Sequence, residues 1–170
     1  MESVILVDEN DIQIGVEEKL SAHHKGLLHR AFSVFIFNKK NEILLQKRAL
    51  DKYHSAGLWT NACCSHPRPE EDTLSAAHRR LKEELGLTSS LKHLFHFIYK
   101  AAFDNWLTEH ELDHVFIGIT DDYPIINTEE ASEYRYMSQS ALLTDIDNNP
   151  EQYTVWFKLI VERVFDTMRN

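Results

Sequence analysis

The sequence predicts a single α+β domain, a mixed β-sheet flanked by helices, and three observations support this class. The chain has 170 residues, of which 43% are hydrophobic, which is enough for one well-packed core but short for two. Segments with the composition of strands occur together with segments that have helical apolar periodicity. No linker, repeat or low-complexity stretch separates them, so we expect one domain over residues 1–170.

The first part of the chain is predicted to be mainly strands. Residues 4–7 form a short apolar strand, from which a turn and a helical or irregular link lead to His29. Residues 30–37 are the clearest strand, because they are aromatic and β-branched. The polar turn at residues 38–41 returns the chain into residues 43–48, which predicts a hairpin.

A strand with a polar tip is predicted to run from Gly57 to Pro67. Because side chains alternate along a strand, Cys64 and His66 point to one side and Cys63 to the other. A thiol beside an imidazole is a recurring way to obtain a reactive sulfur. We therefore expect Cys64 to be the reactive cysteine and Cys63 to be a packing residue.

A helix follows, and Gly86 is predicted to end it. Either Asp72 or Thr73 can cap its first turn. Its predicted apolar stripe consists of Leu74, Ala77, Leu81 and Leu85. Glu83 and Glu84 lie in the last turn, where the helix dipole disfavours negative charge, so a bound cation is a natural explanation for them.

The remaining elements are two long strands, a short strand and two helices. The strands are predicted over residues 91–103, 109–119 and 133–137, and the shorter helix over residues 139–146. Asn149 and Pro150 predict the start of the last helix, as a cap followed by proline at the first helical position. Its predicted apolar face contains Val155, Trp156, Leu159, Ile160 and Val164.

Composition and charge exclude several classes of function. The net charge of -9 argues against non-specific nucleic-acid binding, and no apolar run reaches membrane-spanning length. The two cysteines are adjacent, which disfavours a disulfide between them, and residues 1–3 lack a basic signal region. We therefore expect a cytoplasmic monomer or weak dimer without nucleic-acid or membrane partners.

Histidines and glutamates form a second group of candidate functional residues. The chain contains 10 histidines, a high number that directs attention to metal ligands. His23 and His29 lie close together in the chain, and His66 follows the cysteine pair. Glu109 and Glu111 share one face of their predicted strand. Three imidazoles and two carboxylates would suit zinc or manganese if they converged.

The segment from Ser65 to Leu87 resembles the Nudix box, in which a glycine and a glutamate precede an Arg-Glu-apolar-x-Glu-Glu-x-Gly-apolar motif. The matching positions are Glu71, Arg79, Leu81, Glu83, Glu84, Gly86 and Leu87. Ser65 replaces the glycine of the box, and Arg80 replaces its first helical glutamate. That glutamate is a ligand of the metal cluster with which Nudix hydrolases cleave diphosphates. The resemblance therefore implies a Nudix-like fold turned away from hydrolysis.

Nearly the whole chain is similar to the type I isopentenyl diphosphate isomerases, a branch of the Nudix superfamily. The motifs are residues 28–33 (Leu-His-Arg-Ala-Phe-Ser), residues 59–61 (Trp-Thr-Asn), Cys64, His66-Pro67 and Glu109-x-Glu111. The resemblance implies a Nudix-like domain with a core over about residues 4–165. It also implies isomerisation of isopentenyl diphosphate to dimethylallyl diphosphate in isoprenoid biosynthesis, by a metal-dependent and flavin-independent enzyme.

The resemblance further implies which residues form the site. It assigns one divalent metal, zinc or manganese, to His23, His29, His66, Glu109 and Glu111, with His24 as the alternative to His23. It assigns catalysis to Cys64, Glu111, Tyr99 and Trp156. It implies a magnesium ion that bridges the diphosphate and is bound in part by Glu84. It assigns binding of the diphosphate itself to Lys19, Arg48, Lys52 and Arg80.

This reaction protonates an alkene at one carbon and removes a proton from another through a tertiary carbocation, so it needs an acid, a base and a dry cavity. Cys64 is expected on one face of the substrate and Glu111 with Tyr99 on the other, in either order of proton transfer. Trp156 is expected to stabilise the carbocation. The positive charge of Arg80 would bind phosphates and disfavour a hydrolytic cluster of several metal ions.

Two other functions remain open. A Nudix diphosphatase that acts on a nucleoside diphosphate derivative would share the fold, but would leave the Cys64–His66 pair and the glutamates at 109 and 111 unexplained. A catalytically inactive Nudix module that binds a partner would have no need of costly polar groups around an apolar cavity. Phosphate release from nucleotides would favour the first alternative, and the absence of a tightly held transition metal would favour the second.

Overall fold

The computed structural model describes residues 1–170, which form one nine-stranded mixed sheet and four α-helices. The strands are β1 Ser3–Val7, β2 Gln13–Glu18, β3 His29–Phe37, β4 Ile43–Arg48, β5 Trp59–Thr60, β6 Cys63–Ser65, β7 Lys92–Ala102, β8 Thr108–Ile119 and β9 Ala131–Met137. The helices are α1 Lys19–Lys25, α2 Thr73–Leu85, α3 Gln139–Asn148 and α4 Val155–Arg169, with a 3-10 turn at Pro150–Gln152. None of the helices combines the length and apolar composition needed to cross a membrane. The mixed sheet with its flanking helices confirms the predicted α+β fold class.

β3 is the strand around which the sheet is arranged. β8 runs parallel to it along its whole length, from His29 opposite Glu111 to Phe37 opposite Ile119. The other edge of β3 is therefore shared in turn by β1, β6 and β4. The predicted hairpin between β3 and β4 pairs only at Phe37 and Ile43, and the long partner of β4 is β9. Because β6 pairs with the middle of this edge, β3 and β4 separate after a single residue pair.

The helices α2 and α4 cover opposite faces of the sheet. Phe32 and Val34 of β3 pack in a buried cluster with the apolar face of α2. Phe35 and Phe37, which alternate with them, pack in a second cluster with α4. Because both faces of β3 are covered, its sequence is a nearly continuous apolar run, as expected for a buried strand with a parallel neighbour.

The α2 helix confirms the predicted end and corrects part of the predicted stripe. Gly86 adopts the left-handed conformation (φ 63°) that ends the helix, and its N–H donates to the Lys82 carbonyl. Leu81 and Leu85 are fully buried, but Leu74 is 37% exposed. No residue of the first turn is buried, so the contact of α2 with the sheet begins at Ala76, later than the periodicity predicts.

The α4 helix begins later than predicted. Asn149 and Pro150 lead into the 3-10 turn, and the Asn149 side chain donates to Asp145 instead of capping a helix. The extended residue before α4 is Thr154. The buried face of α4 consists of Trp156, Phe157, Ile160, Val161, Val164 and Phe165. Val155 and Leu159, which the periodicity places on this face, are 37% and 59% exposed.

Removal of the α2 cap is expected to destabilise the fold. Asp72 Oδ2 accepts a hydrogen bond from the Ser75 backbone N–H at 3.0 Å, which identifies Asp72 and not Thr73 as the cap. Asp72→Ala should therefore lower the free energy of unfolding by about 0.5–2 kcal/mol, measured by urea denaturation. Thr73→Ala is the control and should change it by less than about 0.5 kcal/mol. A larger loss of unfolding free energy in Thr73→Ala than in Asp72→Ala would contradict the assignment of the cap.

Candidate active site

The candidate active site is built on β8, whose alternating side chains place three carboxyl groups on one face. Glu109, Glu111 and Asp113 are all buried. Glu111 lies opposite Tyr99 of β7 on one side and opposite His29 of β3 on the other. The Tyr99 hydroxyl is 2.6 Å from Glu109 Oε2 and 3.0 Å from Glu111 Oε2. The strand register thus brings predicted metal ligands and predicted catalytic groups into contact.

Two histidines from separate elements direct imidazole nitrogens at these carboxyl groups. His23, in the last turn of α1, has its Nδ1 at 2.7 Å from the Lys19 carbonyl. His29 has its Nδ1 at 2.8 Å from the Leu27 carbonyl. Each Nδ1 therefore donates its proton to a carbonyl, which leaves a lone pair on each Nε2. His24 is exposed, so the structure places His23 and not His24 in the site.

His66 completes a cluster that fits a divalent metal ion. Its Nε2 is 3.1 Å from Glu111 Oε1 and 3.3 Å from His29 Nε2. The Nε2 of His23 is buried without a hydrogen-bond partner and lies 3.6 Å from Glu109 Oε1. The ligand atoms of His23, His29, His66 and Glu111 all lie within 4.8 Å of one another. Buried imidazole lone pairs that converge with carboxylates are the donor set that transition metals prefer.

The buried carboxyl groups also favour a cation on electrostatic grounds. Burial and the neighbouring Glu109 raise the pKa of Glu111 to about 7. Burial opposes ionisation of Glu109 too, but the neighbouring imidazoles of His23 and His54 outweigh it and lower its pKa. Burial, with the charge of Glu111, raises the pKa of Asp113 well above its usual value. Three buried carboxyl groups on one strand face cannot all ionise at low cost unless positive charge accompanies them.

Cys64 lies on the α4 side of β6, opposite Ser33 of β3. The Asn61 amide donates its two hydrogens to the carbonyls of Val34 and Cys63, at 3.0 and 2.9 Å, so its Oδ1 is left to accept. The Cys64 thiol donates to that Oδ1 at 3.1 Å. Burial raises the pKa of Cys64 to about 12. The surroundings of Cys64 therefore hold it as a protonated thiol.

This arrangement corrects the expected pairing of Cys64 with His66. His66 contacts His29 and Glu111, whereas the Cys64 sulfur accepts a hydrogen bond from Trp156 Nε1 at 3.0 Å. The reason is that His66 lies beyond the end of β6, so its side chain need not follow the alternation of the strand and reaches Glu111 of β8 instead. The predicted opposite orientation of Cys63 is confirmed, because Cys63 is fully buried in the α2 cluster.

The predicted basic residues reach the same cavity, but three of the four are already paired with carboxylates. Lys19 lies 3.3 Å from Glu2, and Lys52 pairs with Glu130. The contacts of Arg80 are with Glu83 (2.6 Å), Glu84 (3.1 Å) and Glu130 (3.1 Å). Arg48 forms no ion pair and lies 5.3 Å from the centre of the Trp156 ring. Arg48 is thus the predicted basic residue whose charge is not already neutralised.

Glu84 lies apart from the histidine cluster. Its carboxyl group is buried, accepts a hydrogen bond from Arg80 and lies 3.5 Å from the Gln46 amide nitrogen. It is in neither group of converging histidines and carboxylates near the β8 face. Glu84 nevertheless lines the same cavity, of about 760 Å³, as the catalytic candidates. The predicted residues that line this cavity are Lys19, Arg48, Lys52, Cys64, His66, Arg80, Glu84, Tyr99, Glu109, Glu111 and Trp156.

The structure adds residues that sequence reasoning missed. His54 is buried, and its Nε2 lies 2.6 Å from Glu109 Oε1 while its ring stacks on Phe103. Asp113 accepts a hydrogen bond from Ser33, whose hydroxyl lies 3.5 Å from the Cys64 sulfur. Asp113 continues the alternation of Glu109 and Glu111, and this signal was available in the sequence. His54 lies in an irregular segment, where no periodicity indicates the direction of a side chain.

Comparisons with known proteins identify the family of this chain. The NUDIX domain family model matches residues 27–157. The chain is 54% identical to an isopentenyl-diphosphate Delta-isomerase of Pectobacterium atrosepticum, over 96% of this chain and 91% of the relative. It is 50% identical to isopentenyl-diphosphate Delta-isomerase 1 of Aromatoleum aromaticum, over 96% of this chain and 92% of the relative.

Solved structures support the same fold. The crystal structure of DR0079 from Deinococcus radiodurans superposes with a TM-score of 0.78 at 18% identity, over 95% of this chain and 98% of that one. A MutT protein from Methanosarcina mazei superposes with a TM-score of 0.69 at 21% identity, over 84% of this chain and 96% of that one. At these identities the two structures bear on the fold alone.

Proposed function

Because this chain belongs to the NUDIX domain family, and within it to the isopentenyl-diphosphate Delta-isomerases, we propose that it isomerises isopentenyl diphosphate to dimethylallyl diphosphate. One observation carries the proposal. A protonated thiol, Cys64, and a hydrogen-bonded carboxyl and phenol pair, Glu111 and Tyr99, line one cavity from different strands. An isomerase needs two proton-transfer groups, one that protonates the alkene and one that deprotonates the carbocation, whereas hydrolysis of a diphosphate needs only a base that activates water.

The proton-transfer chemistry follows from these groups. One group donates a proton to the terminal alkene carbon, which leaves a tertiary carbocation. The other removes a proton from the neighbouring methylene carbon, so the double bond moves and no atom is lost. Cys64 carries its proton because desolvation raises its pKa to about 12, and this proton is directed at Asn61 Oδ1. Glu111 accepts a hydrogen bond from the Tyr99 hydroxyl and lines the same cavity, so it can exchange a proton with the substrate, and either order of transfer is compatible with the groups.

Trp156 is the candidate group for stabilising the carbocation. Its indole N–H donates to the Cys64 sulfur at 3.0 Å, which fixes the ring beside one of the two proton-transfer groups. Only about 3% of Trp156 is exposed, so its ring helps to exclude water from the cation. A cation held over an indole face is stabilised by about 0.5–2 kcal/mol.

A divalent transition metal, zinc or manganese, would be held by His23, His29, His66, Glu109 and Glu111. When bound, it would hold the Glu111 carboxylate in place and make it less basic. The backbone carbonyls of Lys19 and Leu27 keep two of the imidazoles in the tautomer that binds metal through Nε2.

The diphosphate is proposed to bind to the basic side chains that line the same cavity. Arg48 carries positive charge without a carboxylate partner, and Lys19, Lys52 and Arg80 provide further cations. Glu84, with the carboxylates around Arg80, would hold the magnesium ion that accompanies the diphosphate. Arg80 also forms ion pairs with Glu83 and Glu84, which are carboxylates of the Nudix box. Its positive charge attracts the diphosphate and disfavours a hydrolytic cluster of several metal ions, so binding is favoured over hydrolysis.

The direct test is to incubate the purified, metal-loaded protein with isopentenyl diphosphate in D₂O and follow the products by proton NMR. We expect dimethylallyl diphosphate with deuterium in a methyl group, and no free phosphate. Phosphate release from nucleoside diphosphate derivatives without isomerisation would instead identify a diphosphatase. Neither reaction, together with a protein that takes up no transition metal on loading, would identify an inactive binding module.

Reversal of charge at position 80 is expected to weaken substrate binding. Arg80→Glu would replace a charge-assisted contact of about 1.5–3 kcal/mol by repulsion, which corresponds to a KM about 10- to 150-fold higher. Steady-state kinetics at fixed magnesium would measure it. Lys82→Glu, the same charge reversal at an exposed site on α2, is the matched control and should leave KM unchanged. An unchanged KM for Arg80→Glu would reduce the role of Arg80 to pairing with Glu84.

A further inference from the structure

A second histidine cluster lies on the face of β8 that points away from the candidate active site. Glu111 and Asp113 point into the active-site cavity, so His114, one position further along the strand, points to the other face. There it meets His93 and His96 of the neighbouring strand β7. The three imidazoles can each offer a nitrogen within 4.8 Å of the others.

A β-bulge in β7 creates this cluster. His93 and His96 are three residues apart, so regular alternation would place them on opposite faces of the sheet. The pairing with β8 shifts between His93 and Phe95, and an extra residue in β7 is accommodated there. As a result, His96 lies opposite His114 and His93 lies opposite Phe116, two residues along the same face. Bulges re-aim side chains in this way, and here the bulge unites three histidines.

An aspartate fixes the orientation of the central histidine. His114 Nε2 lies 2.8 Å from Asp11 Oδ2, and the other carboxylate oxygen of Asp11 accepts a hydrogen bond from Arg30 Nε at 2.7 Å. The carboxylate therefore holds the Nε2–H of His114, which leaves the lone pair on Nδ1. That Nδ1 is 3.0 Å from His93 Nε2. In a tetrahedral zinc site with Zn–N bonds of 2.0–2.1 Å, ligand nitrogens lie about 3.3 Å apart.

From this geometry we propose that His93, His96 and His114 form a surface site for a divalent transition ion such as Zn²⁺. Asp11 would not bind the ion itself. Its carboxylate would accept the hydrogen bond from His114, and such a carboxylate–histidine–metal arrangement orients the ligating ring and raises its basicity. An all-imidazole donor set favours zinc, copper or nickel over magnesium or calcium. His93 and His96 are exposed, so solvent can fill the remaining coordination positions. The site is independent of the proposed isomerase activity, because it lies across the sheet from the active-site cavity.

The test is a count of bound metal. Wild-type protein and the His93→Ala/His96→Ala variant are stripped with chelator, reloaded with Zn²⁺, desalted and measured by elemental analysis. We expect the double variant to hold one equivalent less than wild type, with unchanged isomerase activity. His24→Ala, which removes an exposed histidine outside both clusters, is the matched control and should bind as much Zn²⁺ as wild type. Equal stoichiometry in wild type and the double variant would overturn the proposal.

Two further variants separate metal binding from structural effects. His96→Gln keeps a polar side chain of similar size and should also lose one equivalent, with an unchanged circular dichroism spectrum. Asp11→Asn keeps all three imidazoles, so the full stoichiometry should be reached, with an affinity of this site about 10- to 100-fold weaker in Zn²⁺ competition titrations. An unchanged affinity in Asp11→Asn would refute the role of the carboxylate, and Zn²⁺ uptake without saturation would refute the site.

Discussion

Cys64→Ala is expected to reduce kcat by about 10²- to 10⁴-fold, the usual contribution of a positioned proton-transfer group. The thiol lies between the Asn61 oxygen and the Trp156 N–H, at 3.1 and 3.0 Å, and its pKa is raised to about 12 by burial. The reaction therefore loses one of its two proton-transfer groups. The measurement is the rate of dimethylallyl diphosphate formation at saturating substrate.

Cys63→Ala provides the matched control for this prediction. Cys63 is adjacent in sequence but fully buried among the apolar residues that face α2. Its loss should lower the free energy of unfolding modestly through lost packing and leave kcat within a few-fold of wild type. Metal content should be unchanged in both variants, because neither sulfur belongs to the histidine cluster. Equal loss of kcat in the two variants would refute the assignment of opposite faces.

Removal of the metal ligands is expected to have the second large effect. In a variant with both His66→Ala and Glu111→Gln, two of the four groups whose ligand atoms converge within 4.8 Å are lost. We expect one equivalent of transition metal to disappear and the isomerisation rate to fall by more than about 100-fold, because ligand loss exceeds the 10- to 100-fold cost of losing an outer-shell contact.

This experiment is best made in the His93→Ala/His96→Ala background, where the proposed surface site cannot retain metal. Elemental analysis then reports the histidine and glutamate cluster of the cavity alone. His24→Ala is the control, because His24 adjoins His23 in sequence but is exposed. An undiminished metal content in the variant that lacks both His66 and Glu111 would contradict the proposed ligand set.

The sequence by itself determined the features that depend on local periodicity. Alternation along a strand separated Cys63 from Cys64 and placed Glu109 and Glu111 on one face, and the structure agrees with both. Gly86 ended α2 as predicted, because a left-handed residue closes a helix most easily when it has no side chain. Such features follow from backbone geometry within a few residues. They therefore do not depend on which distant segments pair.

Only the tertiary structure decided which distant groups meet. It paired His66 with His29 and Glu111 instead of Cys64, and it brought His54 from an irregular segment onto Glu109. It surrounded Arg80 with three carboxylates, one of them, Glu130, from the loop before β9. It also shared one edge of β3 among three strands and placed the β7 bulge. These outcomes depend on the register between distant strands and on side-chain directions in irregular segments. A shift of the register by one residue sends every side chain of a strand to the other face of the sheet.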